Sequence, residues 1–354
     1  MGKFKVKSLK LKVNTKILLY LLVFSLFTFH FSLFTSYAEE IRSRAALVMD
    51  ASTGRVLYAK NPNLKLPPAS TTKLMTAIVA IEKADLNDVI TISKRAVSVA
   101  PTKAGFKAGE KVTIEALLYA ALLRSANDAA TALAEAVAGS EAKFVQLMNR
   151  KAIAIGAKDT KFINPHGLPG PGQYITAHDL SKIMRHALKY PRLKEIIGTR
   201  VAEVSTERGK ALFLENTNRL LWVDEDLVGG KTGYTRKAGH CFACAGEREK
   251  NTVVVALLGS PSRENLWKEA ELLIDKGFQI MANKEEPVIY FTKADYDALN
   301  VKKASYKKSS KFKVQSSKTK TEFAKKKGKI KTIANGKIGK DYRVAKKGED
   351  GNKG

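Results

Sequence analysis

Cysteine, histidine and acid are scarce in this chain of 354 residues. Two cysteines, Cys241 and Cys244, exclude a disulfide-stapled scaffold. The five histidines (His30, His166, His178, His186 and His240) form no His-Glu-x-x-His or comparable array, so neither a metal site nor a cofactor is expected. No internal repeat of fixed period is visible, which excludes solenoids and propellers. Only one long apolar run occurs, from Ile17 to Phe34. Against these absences stands a hydrophobic fraction of 44%, ordinary for a globular protein and too high for a disordered chain.

Acids number 34 against 62 Lys and Arg, a formal net charge of +28. Its distribution decides its meaning. Residues 1–38 carry +6, residues 301–354 carry +15, and the long middle only +7. A nucleic-acid-binding domain would concentrate its basic residues within the fold, so no nucleic-acid partner is expected.

Six lysines (Lys3, Lys5, Lys7, Lys10, Lys12 and Lys16) precede the apolar run, and Ser36-Tyr37-Ala38 follows it. That is a basic n-region, an apolar h-region and a small-residue cleavage site. Residues 1–38 read as a signal peptide, with a retained N-terminal anchor as the alternative because the run is long. Ser25, Thr28, His30 and Ser32 weaken the anchor reading. Either way the chain is expected to be exported and to reside in the periplasm or cell envelope.

Residues 39–285 have the texture of one compact unit mixing helices and strands. Ala46–Asp50 and Arg55–Tyr58 flank Ser52-Thr53-Gly54 and predict a hairpin. A helix with an apolar stripe of Leu74, Ile78 and Ile81 follows Pro67-Pro68-Ala69. Residues 112–139 predict helix broken near Arg124–Asp128, and further helices are expected over Asp179–Leu188 and Arg263–Met281. One strand is expected to run from Lys231 through Ala243 and to pair with Thr252–Leu258. Cys241 and Cys244 have the spacing of a redox or zinc motif. Inside a strand, however, i and i+3 face opposite ways, so both read as small apolar filler. Strands at both ends with helices between suggest a sheet whose ends meet around a helical insert. Residues 286–354 form a Lys-rich tail or a reduced β-rich domain, with Lys/apolar alternation at Lys311–Val314 and Lys329–Ile333.

The chemistry begins at Ser70-x-x-Lys73. Residues i and i+3 share a helix face, so the amine can reach the hydroxyl. A serine is a weak nucleophile and needs a base; burial or a neighbouring cation can depress a lysine enough to serve. A helix start also offers free N–H groups for a developing oxyanion. Ser125-Ala126-Asn127 supplies a second hydroxyl and an amide. Lys231-Thr232-Gly233 supplies a cation, a hydroxyl and a position with no side chain to block a ligand. Each motif alone is short; their order and spacing together are specific.

In these residues, and in Ala51–Gly54, Pro67–Ala77, Ser125–Ala129, Phe162–Leu168, Thr176–Leu180 and Gly230–Thr235, the sequence resembles the low-molecular-mass penicillin-binding proteins. Within them it is similar to the D-alanyl-D-alanine carboxypeptidases, the S11 serine peptidases. The resemblance implies an α+β fold of the β-lactamase/transpeptidase type, an antiparallel sheet flanked by helices. It implies that Ser70 attacks a peptidoglycan stem peptide, Lys73 takes its proton, and Ser125 relays a proton to the leaving D-Ala. It places Asn127, Lys231, Thr232, Gly233 and Tyr234 around the substrate, with the Ser70 and Tyr234 N–H groups as oxyanion hole. β-Lactams would acylate Ser70 as covalent inhibitors. A class A β-lactamase needs a glutamate to activate the deacylating water, and no Glu lies between Glu141 and Glu195, only Asp159 and Asp179. Asp179 reads as a helix-start acid and Asp128 as a loop anchor. A D,D-endopeptidase uses the same residues and stays open, as does a non-enzymatic envelope-binding protein. Residues 301–354 are expected to contact anionic membrane or wall polymer, or else to be solvated.

Overall fold

The computed structural model describes residues 41–207, 209–291 and 331–334. The expected signal peptide, and all of the Lys-rich tail but 286–291 and 331–334, lie outside them.

A seven-stranded sheet has the order β11-β10-β2-β1-β9-β8-β7. Its strands are β1 (Ala45–Asp50), β2 (Val56–Lys60), β7 (Leu227–Thr235), β8 (Gly239–Arg248), β9 (Asn251–Ser260), β10 (Val288–Phe291) and β11 (Lys331–Ala334). β1 pairs with both β2 and β9, so the two ends of the chain meet in one sheet, as expected. The helical insert lies between β2 and β7, with two-stranded ribbons β3 (Val89–Thr91)–β4 (Lys111–Thr113) and β5 (Val201–Ser205)–β6 (Ala211–Glu215) beside it.

Three sequence expectations are corrected. Lys231–Ala243 is not one strand: β7 turns back into β8 through Arg236-Lys237-Ala238, with Gly239 at φ +71°. The register sets Lys231 opposite Ala243 and Gly233 opposite Cys241. β10 and β11 run parallel, extending an otherwise antiparallel sheet past residue 285. The third concerns the helix after Ser70.

That helix, α1 (Lys73–Lys83), is buried on all sides over Lys73–Ala80: Leu74, Met75, Ala77, Ile78, Val79 and Ala80 are all buried, so its face is wider than a stripe, and only the last three residues reach the surface. A 3-10 turn, Ala69–Thr72, precedes it and carries Ser70. The remaining helices are α2 (Lys94–Ser98), α3 (Ile114–Leu122), α4 (Asn127–Ala138), α5 (Glu141–Ala154), α6 (Ala177–Ala187), α7 (Pro191–Gly198) and α8 (Arg263–Met281). Good caps set several starts: Ser140, Thr176 and Ser262 each accept an N–H three residues on.

Helices cover both faces of the sheet, which explains why β1 and β9 are apolar at nearly every position rather than alternating. Leu47, Met49, Cys241, Ala243 and Val254 point into the core shared with the insert. Phe242 points the other way and meets Trp267 of α8 edge to face at 5.3 Å. At Gly277 of α8 an added Cβ would lie 2.9 Å from Val48, so helix and sheet approach closely there. The buried Glu269 carboxylate accepts the Ser43 N–H at 3.0 Å and ties the start of β1 to α8.

Candidate active site

Strand β7 is the sheet's terminal strand, and it lies against the Ser70 turn. The close approach depends on Gly233: a Cβ there would sit 2.7 Å from the Ser70 nitrogen and 3.0 Å from that of Thr71. On the other side Gly167, at φ +86°, is closer still; its Cβ would fall 1.8 Å from the Ala69 carbonyl oxygen. Two glycines thus clamp the turn between the edge strand and the loop at 162–168. Two non-glycine residues occupy left-handed backbone here, Ala69 at φ +48° and Ser125 at φ +62°. Such conformations cost about 1–2 kcal/mol each and persist only where the surroundings impose them.

Lys73 is wholly buried, and its Nζ donates to Ser70 Oγ at 3.2 Å, Asn127 Oδ1 at 2.7 Å and the His166 carbonyl at 2.7 Å. Burial, followed by the Lys231 charge, holds its amine well below the usual lysine range, with Asp128 opposing. An ammonium has three hydrogens for these three acceptors. A neutral amine has two, and the two shorter contacts claim them, leaving the lone pair toward Ser70.

Asn127 is fixed at both ends: Nδ2 donates to the Ala100 carbonyl at 2.9 Å and the backbone N–H to the Thr102 carbonyl at 2.7 Å. It therefore orients Lys73, while in this state its amide is engaged with the protein. Lys231 is also wholly buried, donates to the Thr232 carbonyl at 2.9 Å, and is pushed by burial to about 7. Thr232 shares a 2.7 Å hydroxyl contact with Thr217. Tyr234 is 57% exposed and stacks on His240 at 4.5 Å. The structure thus gathers Ser70, Lys73, Asn127 and Gly233 into direct contact. Ser125 is half-buried at the head of α4 and makes no side-chain hydrogen bond among the described residues.

Asp128 accepts the Ala104 N–H at 2.9 Å and the Gly105 N–H at 3.1 Å, and Asp179 accepts the Asp159 N–H at 2.6 Å. Asp128 holds a loop, as expected; Asp179 stands in the first turn of α6, as expected, and in addition fixes the loop at Asp159. Four contributors escaped the sequence reading: the His166, Ala100 and Thr102 carbonyls and the Thr217 hydroxyl. Backbone acceptors leave no mark in residue type. Gly167 after His166 was the available signal that this loop comes close to something.

A buried lysine between a turn-borne serine and an edge-strand Lys-Thr-Gly is the arrangement of serine acyl-transferases that react with penicillin. Sequence comparison carries this further. The family described as D-alanyl-D-alanine carboxypeptidase, Peptidase S11, matches residues 33–262. D-alanyl-D-alanine carboxypeptidase DacF of Bacillus subtilis (strain 168) is 32% identical over 292 residues, covering 74% of this chain and 75% of that protein. A D-alanyl-D-alanine endopeptidase of Pseudomonas aeruginosa is 35% identical over 245 residues, covering 66% of this chain and 77% of that one. The crystal structure of D-alanyl-D-alanine carboxypeptidase from Mycobacterium tuberculosis H37Rv superposes with a TM-score of 0.65 at 34% identity, over 68% of this chain and 92% of that chain. The chain belongs to the D-alanyl-D-alanine carboxypeptidase family of serine peptidases. It is a hydrolase of the penicillin-binding class, and peptidoglycan is its substrate.

Proposed function

We propose that Ser70 is the nucleophile of a D-Ala-D-Ala carboxypeptidase and that neutral Lys73 is its base. The observation that carries this is the Lys73 amine, buried, depressed and held by two 2.7 Å acceptors with Ser70 Oγ at 3.2 Å. Lys73 takes the Ser70 proton as Oγ bonds to the penultimate D-Ala carbonyl carbon. The carbonyl becomes an oxyanion held by the Ser70 and Tyr234 N–H groups. Ser125 relays the proton held by Lys73 to the departing D-Ala nitrogen as the peptide bond breaks. Water then attacks the ester and gives one proton to Ser70 Oγ as the acyl–oxygen bond breaks, which restores Ser70. Asn127 orients Lys73. Protonated Lys231, with Thr232, receives the substrate's terminal carboxylate. β-Lactams acylate the same oxygen.

Carboxypeptidase and endopeptidase share this chemistry, and the Pseudomonas relative keeps the second reading in play. D-Ala release from a monomeric pentapeptide, run beside cleavage of a cross-linked dimer, separates them. Faster dimer cleavage would transfer the assignment to endopeptidase.

Residues 1–38 act as an export signal and residues 39–285 as the catalytic unit, which works in the periplasm or cell envelope. The tail at 301–354, with its +15 charge, contacts anionic wall polymer or membrane. Removing residues 301–354 should weaken binding to anionic liposomes while sparing catalysis; unchanged binding would leave the tail a solvated extension.

A further inference from the structure

Lys73 hangs between two fixed acceptors, and a chain of side chains beyond the reacting atoms joins the segments that hold them. Its first member is His166, almost fully buried in the loop whose carbonyl accepts from Lys73. His166 Nδ1 accepts the Leu168 N–H at 3.2 Å, so that nitrogen carries no proton and the ring hydrogen sits on Nε2. Nε2 faces Glu141 Oε2 at 3.6 Å. Glu141 stands in the first turn of α5, where a carboxylate is favoured by the helix end. Its other oxygen, Oε1, accepts Arg95 Nε at 2.9 Å. Arg95 belongs to α2, the helix running directly into the segment whose Ala100 and Thr102 carbonyls fix Asn127. Arg95, Glu141 and His166 therefore tie together the two arms that present the Asn127 and His166 oxygens to Lys73.

The charged groups facing His166 are Glu141 from α5, Arg95 behind it from α2, and Lys73 from α1. One ring nitrogen accepts a backbone N–H and the other faces the Glu141 carboxylate. The ring's contribution is mechanical: it holds the backbone oxygen that holds the base.

We propose that Glu141, anchored by Arg95, is a positioning residue that sets the Lys73 amine through the His166 loop. The proposal rests on the reading of Lys73 as the base. Both Glu141 oxygens face donors: Oε1 accepts from the Arg95 guanidinium, and Oε2 lies 3.6 Å from the His166 imidazole nitrogen that carries the proton, an electrostatic contact. Glutamine offers one oxygen and one NH2, so Glu141→Gln must turn a donor onto a donor at nearly unchanged volume. The 166–168 loop then loosens from Lys73. The His166 carbonyl, a charge-assisted acceptor, favours the ammonium over the amine. Loosening it misplaces the base and also lets it deprotonate more readily.

The test is the second-order rate of acylation by a fluorescent penicillin across pH 5–9 on the full exported chain. Glu141→Gln and Glu141→Ala should lower the plateau by about tenfold or more, as expected when a catalytic group is misplaced by a fraction of an ångström. They should also move the rising limb to lower pH, and leave the non-covalent binding step unchanged. Glu141→Asp should recover part of both effects, and Arg95→Ala, at an exposed side chain, should lower the plateau in the same direction. A merely structural role would scale the rate equally at every pH. A folded Glu141 variant with an unmoved limb, or a wild-type plateau in both Glu141→Gln and Arg95→Ala, would overturn the proposal. Lys73→Ala separates the two readings: retained acylation there would remove the Lys73 role itself, whereas its loss beside unaffected Glu141 variants would remove only the Glu141 role.

Discussion

Gly233→Ala is the sharpest probe of how the site is assembled. The new Cβ would lie 2.7 Å from the Ser70 nitrogen, 3.0 Å from the Thr71 nitrogen and 3.1 Å from Ala69 Cβ. Ordinary carbon contacts begin near about 3.5 Å, so β7 and the turn must separate by roughly half an ångström or more. All three neighbours belong to residues of the turn itself, two of them main-chain nitrogens, so no flexible side-chain tip can yield instead. Overpacking of this kind costs about 1–3 kcal/mol of stability. The larger effect is on rate. The displacement opens the gap between the Ser70 and Tyr234 N–H groups, and losing one oxyanion donor costs about 10²–10³ in turnover. Stopped-flow acylation by a fluorescent penicillin, with thermal unfolding as control, reads both. Acylation within threefold of wild type would refute the close approach as a requirement of the site.

Lys231 makes the pH prediction. Its native value near 7 lies below the ordinary lysine value of 10.5, because burial opposes the charge. The unfolded chain binds the extra proton between these values, so stability rises with pH across that window and the burden is fully present below 7. Lys231→Met should therefore raise the melting temperature more at pH 6 than at pH 10, while KM for a carboxylate-terminated peptide rises. An equal or lower melting temperature at pH 6 would count against it. Gly167→Ala combines left-handed backbone with a 1.8 Å clash and should destabilise the fold by about 3 kcal/mol or more, measured by denaturant unfolding. Cys241 and Cys244 are buried on opposite faces of β8, with both thiols pushed up by burial, Cys241 to about 11. Native protein should resist maleimide labelling that unfolded protein accepts at both positions; rapid native labelling would contradict that burial.

The helical insert and the pairing of the two chain ends were readable because Ala/Leu periodicity and β-branched runs report burial directly. Arg263–Met281 is matched to the residue, between the capping Ser262 and the loop after Met281. The β7–β8 reversal is easily missed because it takes only three residues, Arg236-Lys237-Ala238, and Gly239 with its positive φ is the residue-type signal that marks it. The breadth of the α1 interface was equally hidden, since its Ala and Thr positions look neutral until the surrounding helices close over them. Ser70, Lys73, Asn127 and Lys231 announce themselves by residue type and spacing. The carbonyls of Ala100, Thr102 and His166 cannot, because any residue supplies one; the fold alone brings them to Asn127 and Lys73.

The central claim, that Ser70 is the acylated nucleophile, has one direct measurement. The full chain is incubated with benzylpenicillin, digested, and the peptide bearing the covalent adduct identified by mass spectrometry. The account predicts a single penicilloyl ester on Ser70, absent in Ser70→Ala. An adduct on another residue, or equal labelling of Ser70→Ala, would contradict it.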